Sequence, residues 1–300
     1  MNLDFPEMIV PFAGNIEEYN YLMQHGLDIS EDKSIFFCGI VRNAGHSLER
    51  NLQVYQKCAK FFKRSEMFLY ENDSSDNTLD ILQKYSDSIT FHSETRDDKE
   101  YREKINAGED PLHYNRCCVL AECRNKYVDY IEENNVRDNF DYICVVDLDI
   151  KGSWSYNGFF HSIACLEYFD NAAAMTAYGI VADPAQVKTL EQASFDKYIF
   201  YDVFAYRPLG VKSVEKEMLG TYNMLSYKRG SELEEVNSNF NGLGIYKSKY
   251  FTHRYKAVQW DEKSSDPEHV YLHSKIREDG GKIYLNPNLI VSYVHHKYSE

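Results

Sequence analysis

The feature that most limits what this chain can become is the run Tyr142-Ile143-Cys144-Val145-Val146, which ends abruptly in Asp147-Leu148-Asp149. Five consecutive apolar, β-favouring residues read as a buried strand. In an α/β sheet, ligands collect beyond the carboxyl ends of the strands, so a D-x-D there puts two hard oxygen donors where a ligand would arrive. Such donors suit Mg²⁺ or Mn²⁺, and either ion takes phosphate oxygens readily to complete its octahedron. The motif predicts a metal-bridged nucleotide-diphosphate site on Asp147 and Asp149.

Paired acids after a strand also cap helices or lie in water, so the motif does not stand alone. A haloacid-dehalogenase-like phosphatase places D-x-D after a buried strand too. That pattern wants Thr or Val two residues after the second Asp, where this chain has Lys151, and it uses the first strand, whereas strand-like segments precede this one.

Three hundred residues without a Pro/Gly/Ser-rich linker predict one compact unit. The formal charge of -14 argues against non-specific nucleic-acid binding, which needs clustered Lys and Arg. A phosphate-bearing substrate must then be held locally, by a metal and a few cations. The seven cysteines show no paired C-x-x-C spacing, which predicts reduced thiols in a cytoplasmic protein rather than a disulfide framework or zinc site. The start of the chain lacks a basic region followed by an apolar one, and no run approaches the roughly 20 apolar residues of a membrane span.

Taken in order, residues 1–33 are mixed and polar and predict an arm or cap. Strands are expected at 34–41, 67–71, 88–92 and 142–146, with helices beginning near Leu48, near Leu79 and at Tyr114 between them. That alternation predicts a parallel, doubly wound nucleotide-binding half over 34–150. Residues 94–110 read as a charged loop that a ligand could order. The acceptor-binding half, 151–300, shows a helix at 159–170, a strand at 172–178, poor periodicity over the variable segment 184–235, and a glycine-containing turn and strand at 237–246. Asp266 and Pro267 are suited to the cap and first position of a helix. Strands at 282–285 and 289–294 precede His295-His296.

These pieces in this order resemble a GT-A glycosyltransferase, in the branch of the fungal capsule-associated, α-1,3-mannosyltransferase-like enzymes and the related family-2-like enzymes. The matching residues are the first strand with Arg42-Asn43, the run Tyr70-Glu71-Asn72-Asp73-Ser74-Ser75-Asp76-Asn77-Thr78, Ala121-Glu122-Cys123-Arg124-Asn125, and Val146 to Asp149. Further matches are Phe200-Tyr201-Asp202, Asn241-Gly242-Leu243-Gly244-Ile245-Tyr246, Glu268-His269-Val270 and Ile283-Tyr284-Leu285-Asn286-Pro287. Together they span about residues 34 to 296.

The resemblance implies an α/β, Rossmann-like nucleotide-diphospho-sugar transferase fold whose mostly parallel central sheet is flanked by helices. It implies a hexosyl- or pentosyltransferase that moves a sugar from a GDP- or UDP-sugar to a hydroxyl of a glycan or glycoconjugate acceptor, with Mn²⁺ or Mg²⁺ as cofactor. By family position, Arg42, Asn43, Glu71, Asp73, Asp76, Arg124, Asp147 and Leu148 would face the nucleotide sugar. Asn241, Gly242, Leu243 and Gly244 would face the acceptor. Asp147, Asp149 and His295 would hold the metal, and Glu268 or Asp266 would serve as base in an inverting reaction. Two alternatives remain open: a sugar-nucleotide nucleotidyltransferase, and a catalytically silent nucleotide or sugar binder on the same fold.

Overall fold

The computed structural model describes residues 6–96, 103, 114–182, 197–211, 221–260 and 265–293. Most of the 94–110 loop, residues 184–196 and 212–220 of the variable segment, and both His295 and His296 lie outside these residues.

The first half follows the expected alternation. In chain order it holds α1 (Ile16–Ser30), β1 (Ser34–Val41), α2 (Leu48–Ala59), β2 (Arg64–Asn72), α3 (Thr78–Lys84), β3 (Thr90–Glu94), α4 (Tyr114–Glu133) and β4 (Tyr142–Val146). Strands β3, β2, β1 and β4 lie side by side, all parallel. Parallel strands need crossovers, and the helices supplying them cover both faces, which is why β1 and β4 read as unbroken apolar runs. Alternate residues of β1 serve opposite cores. Ile35 and Phe37 pack with α2 residues such as Leu52 and Tyr55, while Phe36 and Cys38 pack with Tyr127 and Ile131 of α4.

The second half continues the same sheet. It contains α5 (Tyr156–Tyr168), β5 (Ala172–Ala182), β6 (Tyr198–Phe200), β7 (Arg207–Pro208), β8 (Glu234–Ser238), β9 (Leu243–Lys247), β10 (Val258–Gln259), β11 (Ser265–Asp266), α6 (Glu268–Glu278) and β12 (Lys282–Ser292). The order runs β3-β2-β1-β4-β9-β5-β12-β8-β7, with β6 on β5. Strand β9 is antiparallel to both β4 and β5, so β5 and β12 share the direction of the first four strands. The expected α/β class, with a mostly parallel sheet flanked by helices, is what is seen. No helix among the described residues is long and apolar enough to cross a membrane.

Three local expectations change. The amino-terminal arm contains a helix, α1, capped by Asn15, whose Oδ1 accepts from the N–H groups of Glu17 and Glu18. It lies so close to α5 that a Cβ on Gly26 would sit 1.8 Å from the Phe160 carbonyl oxygen. The two expected terminal strands are one, β12, with an irregularity in its pairing between Asn286 and Ile290. Asp266 does not cap α6: Pro267 occupies the N-cap position, and Asp266 lies in β11 with its carboxylate turned to Arg207 and Trp260.

Candidate active site

Asp147 follows the last residue of β4, at the point where the parallel strands meet antiparallel β9. Its backbone N–H donates to the Gly242 carbonyl at 2.8 Å, fixing the start of the D-x-D turn against the turn that opens β9. The other side of the motif is held by α2. The Asn51 amide donates to the carbonyls of Leu148 at 2.9 Å and Ile150 at 2.8 Å, and the Ser47 hydroxyl donates to Leu148 at 3.0 Å. With both carbonyls engaged and Leu148 and Ile150 wholly buried, Asp149 is left exposed.

Arg124, on α4, crosses from this turn to the start of α6. Its Nη2 donates to Oδ1 of Asp147 at 3.1 Å and its Nε to Oε1 of Glu268 at 3.0 Å. Arg124 and Glu268 are buried, whereas the Asp147 side chain keeps 22% of its exposure. Burial pushes the Asp147 carboxyl up to about 7 despite the attraction of Arg124, and repulsion from Asp149 and Glu268 acts in the same direction as burial. Among the described residues, three polar groups here have buried atoms without a hydrogen-bond partner: Nη1 of Arg124, Oε2 of Glu268 and both ring nitrogens of His269.

These residues line a cleft of about 390 Å³. Its walls add Arg116 and Leu120, which share a face of α4 with Arg124, together with Asp202, Phe204, Phe240 and Tyr293. His269 stacks on Phe240 with ring centroids 3.7 Å apart, and burial holds its ring well below the usual histidine range. Tyr201 stacks on Tyr293 at 3.6 Å. Asp202 accepts from the Ala205 N–H at 3.1 Å, and burial raises its carboxyl above the usual range.

The Glu71 to Thr78 segment lies at the same edge of the sheet, beyond β2, and is locked to the turn after β1. The N–H groups of Asn43, Ala44 and Gly45 donate to Ser74 Oγ, Thr78 Oγ1 and Asp76 Oδ2 at 3.0, 2.8 and 2.9 Å. Asn43 Oδ1 in return accepts from the Ser75 N–H at 2.8 Å. Asn43 and Asp73 both take the left-handed backbone conformation at φ 51°, which asparagine and aspartate tolerate better than bulkier residues. Burial works to raise the Asp76 carboxyl, but the Thr78 hydroxyl and the N–H groups of Gly45 and Thr78 hold it below its usual range. Buried Glu71 accepts from the Ser74 N–H at 2.8 Å and from Ser93. Asp73 accepts from the Arg96 N–H at 3.3 Å, and Arg42 is exposed at the tip of β1.

The structure thus brings Arg124, Asp147, Gly242 and Glu268 to one cleft. Asn241, Leu243 and Gly244 are buried in the wall behind it. The Asn241 amide donates to Asn239 Oδ1 at 2.6 Å, and its Oδ1 accepts from the Asp202 N–H at 2.9 Å. Asp266 is also buried, paired with Arg207. His295 lies outside the described residues, and among those residues no group of three or more His, Cys, Asp or Glu could hold a metal ion. Sequence reasoning assigned no role to Asn51, Arg116, Asp202, His269 or Tyr293. Asn51 left a local signal, as an amide among the buried apolar positions Leu48, Leu52 and Tyr55 of α2, while Asp202 and His269 stood inside segments quoted for the resemblance without a role of their own.

No family model matches the sequence, and no curated protein matches it. Similar solved structures include the mannosyltransferase PcManGT of Pyrobaculum calidifontis in complex with GDP-Man and Mn²⁺, at 10% identity and a TM-score of 0.45, covering 92% of this chain and 63% of that one. GalNAc-T7 with UDP, GalNAc and Mn²⁺ aligns at 11% identity and a TM-score of 0.44, over 97% of this chain and 55% of that one. TarS of S. aureus in complex with UDP-GlcNAc aligns at 9% identity and a TM-score of 0.44, over 89% and 60%. The chain therefore spans less than two thirds of the length of each of these structures.

Proposed function

We propose that this chain is a metal-dependent glycosyltransferase of GT-A type that moves a sugar from a nucleotide-diphosphate donor to a hydroxyl of a glycan or glycoconjugate. The observation that carries this reading is the Asp147–Arg124–Glu268 bridge. It joins the carboxylate at the end of β4 to a second carboxylate across one cleft, at the edge of the sheet where α/β folds bind nucleotides.

In this reading the nucleoside lies over the Glu71 to Thr78 segment, with Arg42, Asn43, Asp73 and Asp76 at its rim. The diphosphate points toward Asp147 and Asp149. These two carboxylates would hold a divalent cation: Arg124 engages Oδ1 of Asp147 and leaves Oδ2 to a ligand, and Asp149 is exposed. Two protein oxygens suit Mn²⁺ or Mg²⁺ when phosphate and water supply the rest. The ion would supply Lewis-acid stabilisation of the departing diphosphate.

The chain's own residues do the remaining work. Arg124 fixes Asp147 and carries the positive charge that keeps two carboxylates compatible in one cleft. Its Nη1, without a hydrogen-bond partner among the described residues, is a donor for a phosphate or sugar oxygen. Glu268, held through Oε1, offers Oε2 as acceptor for the proton of the attacking hydroxyl. The stacked pairs Phe240–His269 and Tyr201–Tyr293 give the walls apolar faces that exclude water from the bond being broken.

The nucleotidyltransferase alternative requires free backbone N–H groups in the turn after β1 to cradle phosphate. Here three successive N–H groups of that turn are occupied by Ser74, Thr78 and Asp76, which counts against it.

The test is to incubate the protein with Mn²⁺ or Mg²⁺ and a panel of UDP- and GDP-sugars and to follow released nucleotide. Slow donor hydrolysis, abolished by chelator and by Asp149→Ala, is expected. Equal hydrolysis in that variant would remove the metal role from the motif. Absence of hydrolysis with every donor and of any change in melting temperature on adding UDP or GDP would overturn the reading.

A further inference from the structure

Trp260 is 60% exposed, yet its indole is not loose. Its Nε1–H donates to Oδ2 of Asp266 at 2.6 Å. Asp266 is itself buried, and its Oδ1 accepts from Nη2 and Nε of Arg207 at 2.5 and 3.2 Å. Arg207, 1% exposed, is fixed further by donating from Nη1 to the carbonyls of Phe204 and Tyr206. A surface tryptophan would ordinarily satisfy its single donor with water and leave its ring free to turn. Here a buried ion pair holds the ring edge and leaves aromatic surface facing outward. The same Asp266 stands two residues before Glu268, so the indole and the cleft carboxylate are anchored to one short segment.

We propose that Trp260 is a stacking platform for a neutral saccharide, forming an acceptor subsite on the segment that leads into α6. The chemistry favours that occupant. The C–H face of a pyranose packs on the negative face of an aromatic ring, and a carboxylate bonded to the indole edge makes that face more negative. The carboxylate of Asp266 touches the indole, Glu268 follows two residues on, and the chain carries a formal charge of -14, so an acidic glycan would be repelled. The Arg207–Asp266 pair positions the platform: it touches no sugar itself and sets the ring relative to Glu268. The word acceptor rests on the transferase reading, whereas the stacking site does not.

The chain has two tryptophans, and Trp154 is 1% exposed, so ligand-induced changes in emission report chiefly on Trp260. Emission is to be titrated with maltotriose, mannotriose, cellotriose and, as a cationic control, choline. A saturable change with at least one trisaccharide, accompanied by protection from acrylamide quenching, is expected. In Trp260→Phe, shown by its melting curve to be folded, the residual emission should ignore the sugar. Calorimetric affinity should fall about tenfold or more in Trp260→Ala, as for an aromatic anchor, and by a smaller factor in Asp266→Asn.

No response to any trisaccharide, the same response in Trp260→Phe, or a response to choline alone would overturn the platform. Donor hydrolysis by the wild-type protein decides the transferase reading separately. Hydrolysis without trisaccharide binding sinks the platform only, and trisaccharide binding without hydrolysis or nucleotide binding sinks the transferase only.

Discussion

Arg124 donates from Nε to Oε1 of Glu268 at 3.0 Å across 144 residues of sequence, and both side chains are buried. A guanidinium in this position links two helices, α4 and α6, while its Nη2 reaches the end of β4. Removing it leaves the carboxylates of Asp147 and Glu268 without the cation that bridges them.

Arg124→Met should therefore destabilise the fold by about 3–5 kcal/mol, the usual cost of breaking a buried ion pair from one side. Adding Glu268→Gln removes one of the stranded charges, so the double variant should lose less than the sum of the two single losses, by roughly 0.5–3 kcal/mol. Urea unfolding of the four proteins checks this. Strict additivity would mean that the two side chains do not interact.

Asn51 never faces the cleft, yet it determines where the D-x-D points. Asn51→Leu takes the side-chain donor from the buried Ile150 carbonyl, at about 1–3 kcal/mol, and leaves the Leu148 carbonyl to Ser47. The expected outcome is a lowered melting temperature together with weaker Mn²⁺ dependence of donor hydrolysis. Unchanged metal dependence in the folded variant would show that the turn holds itself.

The contact between α1 and α5 leaves no room for a methyl group at residue 26. Gly26→Ala should cost about 1–3 kcal/mol through overpacking, because the obstruction is backbone rather than a side chain that can move aside. A thermal melt equal to that of wild type would mean that the helix separates from the main body at little cost.

His161 is buried on α5 with Nδ1 3.2 Å from the Asn286 amide and 3.5 Å from the Cys165 sulfur, and its ring stacks on Tyr19. Burial lowers its pKa to about 4, while an unfolded histidine titrates near ~6.5. Between those values the unfolded chain binds the proton and the folded chain does not, so stability is full above about 6.5 and falls as the pH drops toward 4. The loss from this one group approaches ~3 kcal/mol. His273, lowered by burial to about 3, adds a loss of the same sign. Urea midpoints at pH 7 and pH 4.5 should therefore differ less in His161→Gln than in wild type. An equal difference would mean that His161 is protonated in the folded protein.

Much of the scaffold was legible because it is local. Residues 35–41 and 142–146 lack charged and strongly polar side chains since helices cover both sides of their strands. Helix α2 could be read from Leu48, Leu52, Tyr55 and Cys58 at helical spacing. Asp266 misled for the same reason: an acid before Pro267 and an amphipathic stretch is a good cap by local rules, and nothing nearby in sequence reveals that Arg207 claims its carboxylate. Tyr201 and Asp202 stood in a quoted segment, but their place in the cleft could not be read, because no periodicity marks a wall built from a bend.

The order of strands and helices, the D-x-D at the end of a buried strand, and the turn chemistry of Glu71 to Thr78 were set by the sequence alone, since each depends on residues within one or two turns of each other. The tertiary structure decided that Arg124 bridges Asp147 and Glu268, that Tyr201 meets Tyr293, and that Asp266 holds Trp260 in place. The first two pairings join segments far apart in sequence, brought to one edge of a sheet in which β9 enters antiparallel between β4 and β5. Such an insertion is fixed by the packing of the whole sheet, and no short stretch of the chain encodes it.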